Sequence, residues 1–379
     1  MTFFTNAPPT GTASSLGLTQ HGRAGMQMLG AIQKFASSRM RPAARARFEG
    51  DEQGAALTET HRTGPQDRDA VRERVTRAQV VADADPVFRL ERFLQRYVAE
   101  ENFNRGIPAI EERRATFAAF IADSPAMEAD RLHLDPDLTP PAYQARTEWH
   151  LEPGGWDGYD LYGPLFAFAV GPHVFRHGGY AAVSAGTDIT QQRIDAVSQF
   201  PKDSYDHIYE PGCGGVSTFR ALATVYPKAR LTGCDLSPLL LRNGHMLAQR
   251  QGLDVTLKQR EATETGEPDA SVDGVMTYAL HHELPPRENA ALFREMFRIL
   301  KPGGDIVLSD PPPFRAVDMF HAVILDWDTD HREEPFFTAS CLSDWGEELE
   351  KAGFVDVEAY AIGADGYPWI TRGRKPETA

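Results

Sequence analysis

The chain has 379 residues, with 54 acidic side chains against 39 basic ones and a formal net charge of −15. This length exceeds what one ordinary hydrophobic core supports, so two domains, or one domain with a large cap, are expected. The negative charge argues against a nucleic acid as partner. The three cysteines are an odd number without metal-ligand spacing, which indicates reduced thiols in a cytoplasmic protein rather than a disulfide framework.

No segment is predicted to enter a membrane. The longest apolar stretch, residues 162–175, is interrupted by glycine, proline and histidine and is too short to span a bilayer. The N-terminus lacks a charged start followed by an apolar run, so no secretion signal is expected.

The first predicted region, residues 1–65, combines a tail, a basic helix and a linker. Residues 1–22 are rich in Thr, Ser, Gly and Pro and are predicted to be a loose tail. Residues 23–48 have a helical composition with many arginines, and a break is expected at Pro42. Such a helix could bind a membrane surface or a partner, but packing by one side on its own domain is favoured. Residues 49–65 are predicted to be a polar linker.

Residues 66–194 are predicted to form a helical N-terminal or lid domain. Apolar residues recur at three- and four-residue spacing between residues 67 and 123, the pattern of amphipathic helices. The following segment, residues 135–186, is aromatic and rich in glycine and proline. It suits the wall of a ligand pocket, with Tyr162 as a candidate lining residue, and equally suits a linker packed on the core.

From residue 195 to the end, short apolar runs alternate with helical patterns. This alternation predicts an α/β domain with a doubly wound, mainly parallel, Rossmann-like sheet. Seven strands are expected, at or near residues 208–209, 230–234, 255–257, 274–277, 305–309, 355–361 and 369–371.

The most informative motif joins the first two of these strands. Glu210-Pro-Gly212-Cys213-Gly214 contains glycines that allow a ligand to approach the backbone, and Asp235 ends the second strand, where an acid can accept bonds from a ribose. Ser217 occupies the place where a dinucleotide loop needs its third glycine. An acid ahead of the loop repels a phosphate and can bind an ammonium group. The pattern therefore favours S-adenosylmethionine, a nucleoside with a cationic amino-acid end and no phosphate.

With these motifs in this order, residues 195–375 resemble the class I S-adenosylmethionine-dependent methyltransferases. In that family the glycine loop holds the methionine part of the cofactor, and the acid of the second strand binds the ribose. Glu261-Ala262 stands where the family usually has Asp-Ala beside the adenine. The resemblance assigns the cofactor to Glu210, Gly212, Cys213, Gly214, Asp235, Leu236, Glu261, Ala262 and Tyr278.

Two histidines follow the predicted fourth strand, at the edge where open α/β sheets bind ligands. The segment Tyr278-Ala-Leu-His281-His282-Glu283 resembles the Leu-His-Asp-Trp region of plant-type and bacterial antibiotic O-methyltransferases. His281 is the positional match for their general base, and a histidine can accept a proton near neutral pH. We predict that His281 or His282 assists deprotonation; the alternative is that they only shape the pocket.

The region between the fifth strand and the last large helix is aromatic. In the family that the chain resembles, this insertion commonly lines the acceptor pocket, so His321 and Trp327 are candidate pocket residues; packing of a helix face is the alternative. Residues 310–314, Asp-Pro-Pro-Pro-Phe, resemble a loop of amino-methylating enzymes, but that loop follows strand four rather than strand five. Residues 326–330 alternate acids as a calcium loop does, yet the required glycine and the bidentate Glu are missing, so no metal is predicted.

The sequence therefore predicts S-adenosylmethionine-dependent methyl transfer to a small-molecule acceptor, with oxygen or sulfur favoured. C- or N-methylation and a non-catalytic cofactor-binding role in regulation or assembly stay open. Aminopropyl transfer, which uses the same fold, is less favoured because histidines rather than several acids follow strand four. The resemblance also implies a homodimer through the N-terminal helical domain.

Overall fold

The computed structural model describes residues 17–123, 130–178, 188–363 and 366–377. The predicted tail lies outside the described residues as far as residue 16. The chain divides into two compact units. The helical unit is drawn from Met1–Asp123, Glu148–Ile189 and Pro313–Leu342, and the sheet unit from Ser124–Thr147, Thr190–Pro312 and Ser343–Ala379.

The helical unit begins with a nearly continuous rod of helix. Thr19 caps its start by accepting a hydrogen bond from the amide of Gly22. A π-helical turn, Ala36–Met40, precedes Pro42, which lies in the first turn of the next helix, where a missing N–H costs little. The expected break at Pro42 is thus a π turn, and the chain stays helical through it.

The α-helices of this unit are α1 Gln20–Phe35, α2 Arg41–Gly50, α3 Glu52–Thr63, α4 Arg68–Ala84, α5 Pro86–Glu111, α6 Arg114–Ala122, α8 Tyr162–Pro164, α9 Gly171–His173, α14 Met319–His331 and α15 Phe337–Cys341. The prediction of a polar linker is wrong: residues 49–65 are mostly α3, which begins because the carboxylate of Asp51 accepts bonds from two amides of its first turn. Helix α1 begins at Gln20, close to the end of the predicted tail.

A buried ion network ties α5 to its neighbours in the helical unit. Glu91 is fully buried, and its carboxylate accepts bonds from Arg41 at 3.2 Å and Arg92 at 2.5 Å. Burial by itself raises the pKa of Glu91, but the two guanidinium groups outweigh it and lower the pKa to about 2. Since Arg92 also lies 3.9 Å from buried Asp328 on α14, the insertion 313–342 shares this network.

The sheet unit contains eight strands in the order β1-β4-β3-β2-β5-β6-β8-β7. All neighbouring pairs are parallel except β6–β8 and β7–β8. The strands are β1 Leu132–His133, β2 His207–Pro211, β3 Arg230–Asp235, β4 Val255–Gln259, β5 Val272–Tyr278, β6 Leu300–Asp310, β7 Val355–Ala361 and β8 Trp369–Arg374. The predicted mainly parallel, Rossmann-like fold is confirmed. Its seven strands are present, and β1 is an additional two-residue strand beside β4.

Helices cover the sheet of this unit and bury its apolar side chains in two clusters. They are α7 Ala142–Ala145, α10 Ile189–Val197, α11 Ser217–Val225, α12 Pro238–Gln251, α13 Pro286–Ile299 and α16 Trp345–Lys351. The Ser237-Pro238 start of α12 is capped by the serine hydroxyl, and Gly252 ends that helix with φ +65°.

The compact units differ from the predicted domain boundaries. Residues 313–342 interrupt the α/β domain in sequence but group with the helical unit, where α14 packs on α4 through apolar residues such as Phe320 and Val323. Residues 130–147 group instead with the sheet unit, because β1 extends the sheet. Within the described residues, every helix is too short or too polar to cross a bilayer.

Candidate functional site

The predicted ligand residues meet at one edge of the sheet. In the parallel pairing, Pro211 lies beside Cys234, Asp235 beside Gln259, and Tyr278 beside Ser309. The carboxyl ends of β2, β3, β4, β5 and β6 therefore point the same way, and the loops that follow them line one cleft edge.

The glycine loop after β2 has the backbone that its sequence requires. Gly212 and Gly214 have φ of +62° and +52°, a conformation that L side chains rarely adopt. A Cβ at Gly215 would meet no described atom within 4 Å, so the backbone beside the loop is open to a ligand. The amide of Cys213 donates to the carbonyl of Cys234 at 2.9 Å and fastens the loop to β3.

Asp235 organises the loop as well as facing the cleft edge. One carboxylate oxygen accepts the amide of Gly214 at 2.7 Å and the other accepts the amide of Ser237 at 2.9 Å. A carboxylate accepts hydrogen bonds only, so this group suits the hydroxyls of a ribose as donors. The half-buried Leu236 follows, and its carbonyl accepts a bond from Gln259.

Glu210 is 1% exposed, and its Oε2 atom has no hydrogen-bond partner among the described residues. Burial raises the pKa of Glu210 to about 8, although a bond from Thr218 and the charge of Arg193 act in the opposite direction. An orphaned buried carboxylate oxygen is costly. A cationic group placed against it would remove that cost, so the site fits a ligand with a positive amino-acid end.

Glu261 and Ala262 follow the end of β4, one strand beyond Asp235. Both are half-buried, and burial, together with the nearby charge of Glu288, raises the pKa of Glu261. Ala262 packs against the apolar cluster that contains Leu280 and Leu284.

Both ring nitrogens of His281 are used inside the protein. Nδ1 lies 2.7 Å from Oδ1 of Asn289, whose amide nitrogen donates to two carbonyls, so Nδ1 carries the proton. Nε2 then accepts the hydroxyl of Thr277 at 2.8 Å. The ring is fully buried beside Phe293 and Trp345, and burial lowers its pKa.

His282 has a different environment. Its Nδ1 lies 2.6 Å from Oδ1 of Asp310, at the end of β6, and its Nε2 lies 3.5 Å from Oε1 of Glu283. Asp310 also accepts the amide of His281 at 2.6 Å through its other oxygen, which holds the carboxylate in place. A carboxylate that accepts the Nδ1 proton orients the imidazole, whose Nε2 faces the carboxylate of Glu283. The turn that presents this pair passes through Ala279, at φ +55°.

Sequence reasoning missed Arg193, Asp310 and Tyr367 at the same edge. The guanidinium of Arg193, on α10, lies 4.5 Å from the ring centre of Tyr278, and the hydroxyls of Tyr278 and Tyr367 are 3.2 Å apart. Arg193 is remote in sequence from the glycine motif. Asp310 was noticed only as part of a proline-rich loop, and strand order was the signal that could have placed it beside His282.

The predicted acceptor-pocket residues all belong to the helical unit. Trp327 stacks on His331, with ring centres 4.1 Å apart, and lines a cleft of about 480 Å³ with Arg92 and Phe93. The ring of Tyr162 packs against that of Phe166, with centres 4.6 Å apart, and its hydroxyl donates to Glu152. The backbone amide of His321, in the first turn of α14, donates to the carboxylate of Asp318, which caps that helix. Each of the three residues thus has its own set of contacts within this unit.

The alternating acids of residues 326–330 lie on helix α14 rather than in a loop. Asp326 pairs with Arg72 at 2.5 Å, and burial raises the pKa of Asp328, which faces Arg92. Asp326 and Asp328 therefore form ion pairs with arginines of the helical unit.

Comparison with known proteins gives one family match. Residues 208–304 match the model described as a methyltransferase domain. The trans-aconitate 2-methyltransferase of Azoarcus sp. (strain BH72) is 29% identical over 122 residues, 32% of this chain and 46% of the relative. The C-methyltransferase UbiE of ubiquinone/menaquinone biosynthesis from Nitrobacter hamburgensis is 36% identical over 28% of this chain and 41% of its own.

A third relative is the erythromycin 3''-O-methyltransferase of Saccharopolyspora erythraea, 29% identical over 41% of this chain and 53% of that one. The chain spans about half the length of the curated relatives it matches. Among solved structures, the apo form of the S-adenosylmethionine-dependent methyltransferase SibL matches 49% of this chain and 55% of its own at 22% identity, with a TM-score of 0.40.

Proposed function

We propose that this protein, whose residues 208–304 match a methyltransferase domain, belongs to the class I, S-adenosylmethionine-dependent methyltransferases. It transfers the methyl group of S-adenosylmethionine to a small-molecule acceptor. S-adenosylmethionine is the cofactor of that family. The observation that carries the proposal is the glycine loop between an orphaned buried Glu210 and the carboxylate of Asp235.

In this proposal Glu210 binds the ammonium group of the cofactor, and Asp235 binds its ribose. Gly212, Cys213 and Gly214 let the backbone approach the methionine part, while Leu236, Glu261 and Ala262 border the adenine and Tyr278 closes the far side. When bound, the cofactor supplies a methyl group on a positively charged sulfur that an aligned nucleophile can take in line.

We assign the general base to His282 rather than His281. The Nε2 lone pair of His281 accepts the Thr277 hydroxyl, whereas His282 is held through Nδ1 by Asp310. A base oriented in this way can take the proton of a hydroxyl or thiol acceptor as it attacks. Oxygen or sulfur is the favoured acceptor atom, because a hydroxyl or thiol must lose its proton to a base when it is methylated. Carbon or nitrogen is the alternative, and the relatives include two O-methyltransferases and a C-methyltransferase by name.

The cofactor assignment is tested by titrating S-adenosylhomocysteine into the protein in a calorimeter. Asp235→Ala is expected to abolish measurable binding, because the variant loses both the ribose acceptor and the bond that fixes Gly214. Asp254→Ala, which removes an exposed acid ahead of β4, is the matched control and is expected to bind as the wild type does. Equal affinity of the Asp235→Ala protein would contradict the assignment.

The histidine assignment is tested by turnover of methyl-labelled cofactor against a panel of phenols, carboxylic acids and thiols. For an acceptor found in this way, His282→Gln is expected to lower kcat by roughly 10²- to 10⁴-fold with little effect on cofactor affinity. His281→Gln is expected mainly to lower stability. Turnover with none of the panel, despite cofactor binding, would favour a regulatory or assembly protein that only binds the cofactor.

Two further proposals concern the assembly and the location of the protein. Homodimerisation through the helical unit is supported by Val80, Leu90 and Phe93, which are 69%, 49% and 60% exposed. A monomer in sedimentation at high concentration would contradict it.

A cytoplasmic location is supported by three buried free cysteines. Alkylation of the unfolded protein should count three thiols without prior reduction.

A further inference from the structure

Arg193 is a half-buried cation with unmet hydrogen-bonding capacity. It lies on α10, outside the residues that match the methyltransferase model. Its Nε atom is buried without an acceptor, and across the described ranges its guanidinium makes no ion pair. Its guanidinium carbon lies over the face of Tyr278, 4.5 Å from the ring centre. A buried donor without an acceptor costs free energy, so an acceptor brought by a ligand would be stabilising.

The contact with Tyr278 fixes the position of the guanidinium at the end of β5. Tyr278 is 8% exposed at the end of β5, and its hydroxyl meets that of Tyr367, so the ring is held from two sides. A guanidinium that lies over an aromatic face keeps its N–H groups directed outward in its own plane. Two parallel N–H groups at such an edge match the two oxygens of a carboxylate.

Glu210 lies in the same part of the sheet unit and supplies the complementary negative charge when it ionises. Arg193 is close enough for its charge to act on the Glu210 carboxyl, yet no ion pair joins the two in the described structure. Each retains one buried atom without a partner, Nε on Arg193 and Oε2 on Glu210. An acid and a base that are near each other but unpaired both gain from a ligand that carries the two opposite charges on adjacent atoms. An α-amino-acid group has this arrangement, because its ammonium and carboxylate share one carbon.

We infer that Arg193 binds the carboxylate of an α-amino-acid zwitterion whose ammonium group is bound by Glu210. The inference rests on the proposed function, since the amino-acid group is then the methionine end of S-adenosylmethionine. It adds Arg193 as the residue that distinguishes the complete cofactor from adenosine compounds without an amino acid.

The test compares two ligands in calorimetry, S-adenosylhomocysteine and 5'-methylthioadenosine, which shares the adenosine but has no amino-acid group. Arg193→Gln is expected to weaken S-adenosylhomocysteine by roughly 10- to 100-fold, the range for a lost hydrogen bond between charged groups, and to leave 5'-methylthioadenosine unchanged. Arg193→Lys keeps the charge but not the fork, so a smaller loss for S-adenosylhomocysteine is expected. Arg294→Gln, an exposed arginine of α13, is the matched control.

The outcomes separate this inference from the proposed function. Unchanged affinity of Arg193→Gln for S-adenosylhomocysteine would overturn the role of Arg193 while leaving the cofactor assignment intact. Equal weakening of both ligands would also overturn it, because the variant would then have damaged the whole site. Should Arg193→Gln fail to fold, Arg193→Lys carries the same comparison, and an equal change for both ligands contradicts the inference. A wild-type protein that binds neither ligand would remove the proposed function itself.

Discussion

Replacing Glu210 by glutamine is expected to stabilise the ligand-free protein while weakening its hold on the cofactor. The carboxyl is 1% exposed with an orphaned oxygen, and burial raises its pKa from an ordinary value of 4.5 to about 8. Below pH 4.5 the group is protonated whether the chain is folded or unfolded, so its ionisation does not change the free energy of unfolding. Between pH 4.5 and 8 the unfolded chain ionises and the folded one keeps its proton, so the free energy of unfolding falls as the pH rises.

The size of this effect follows from the pKa shift. At pH 7 the unfolded chain has been ionised over about 2.5 pH units in which folded Glu210 keeps its proton. This lowers the free energy of unfolding by roughly 3 kcal/mol, at about 1.36 kcal/mol per pH unit. At pH 5 the same calculation lowers the free energy of unfolding by about 0.8 kcal/mol. Glutamine has the same shape and never ionises in this range. The stability gained by Glu210→Gln should therefore be about 2.5 kcal/mol larger at pH 7 than at pH 5.

Urea unfolding of the wild type and the variant without cofactor, at pH 5 and pH 7, measures this difference. Glu264→Gln removes an exposed carboxylate a few residues beyond β4, and its effect should be small and equal at both values of pH. In parallel, Glu210→Gln should bind S-adenosylhomocysteine more weakly by roughly 10-fold or more, because the partner of the ammonium group is neutral. A stability difference that does not change between pH 5 and pH 7 would refute the idea that Glu210 is desolvated in the free protein.

Three further predictions concern stability, and urea or thermal unfolding checks each. Glu91→Gln removes the acid of the buried ion network and should cost about 3–5 kcal/mol, against little for the exposed control Glu59→Gln; since the pKa of Glu91 is lowered to about 2, its contribution should persist above pH 4.5 and be lost as the pH falls through 2. Asp85→Ala removes the cap that starts α5 and should cost about 1 kcal/mol; no loss would mean that the cap is replaced by water. Thr277→Val leaves Nε2 of buried His281 without its donor and should cost about 1–3 kcal/mol, and an unchanged midpoint would contradict the tautomer that we assign.

Much of the sheet unit was predictable because its signals are local. Strands β2 to β8 follow from short apolar runs, the start of α12 from Ser237-Pro238, and the glycine loop from a backbone that only glycine adopts easily. The charge logic of Glu210 and Asp235 is equally local, since it depends on residues that flank one turn. These features selected the fold and the cofactor before any tertiary contact was known.

The helical unit was less predictable. The polar composition of residues 49–65 concealed α3, which forms because Asp51 caps it and Leu57 is buried against the cluster around Phe320. Likewise, residues 313–342 follow β6 in sequence but pack with α4, because their buried faces are complementary to helices more than 200 residues away.

The sequence by itself determined the type of fold, the order of the motifs and the conformation of the glycine loop, because backbone conformation and hydrophobic periodicity are properties of neighbouring residues. It named two adjacent histidines without separating them, and it was silent on Arg193. Only the tertiary structure decided those points. Thr277 and Asn289 occupy one imidazole, Asp310 holds the other, and α10 brings a guanidinium to the edge of β5, since burial and hydrogen-bond partners are set by contacts between strands and helices that lie far apart along the chain.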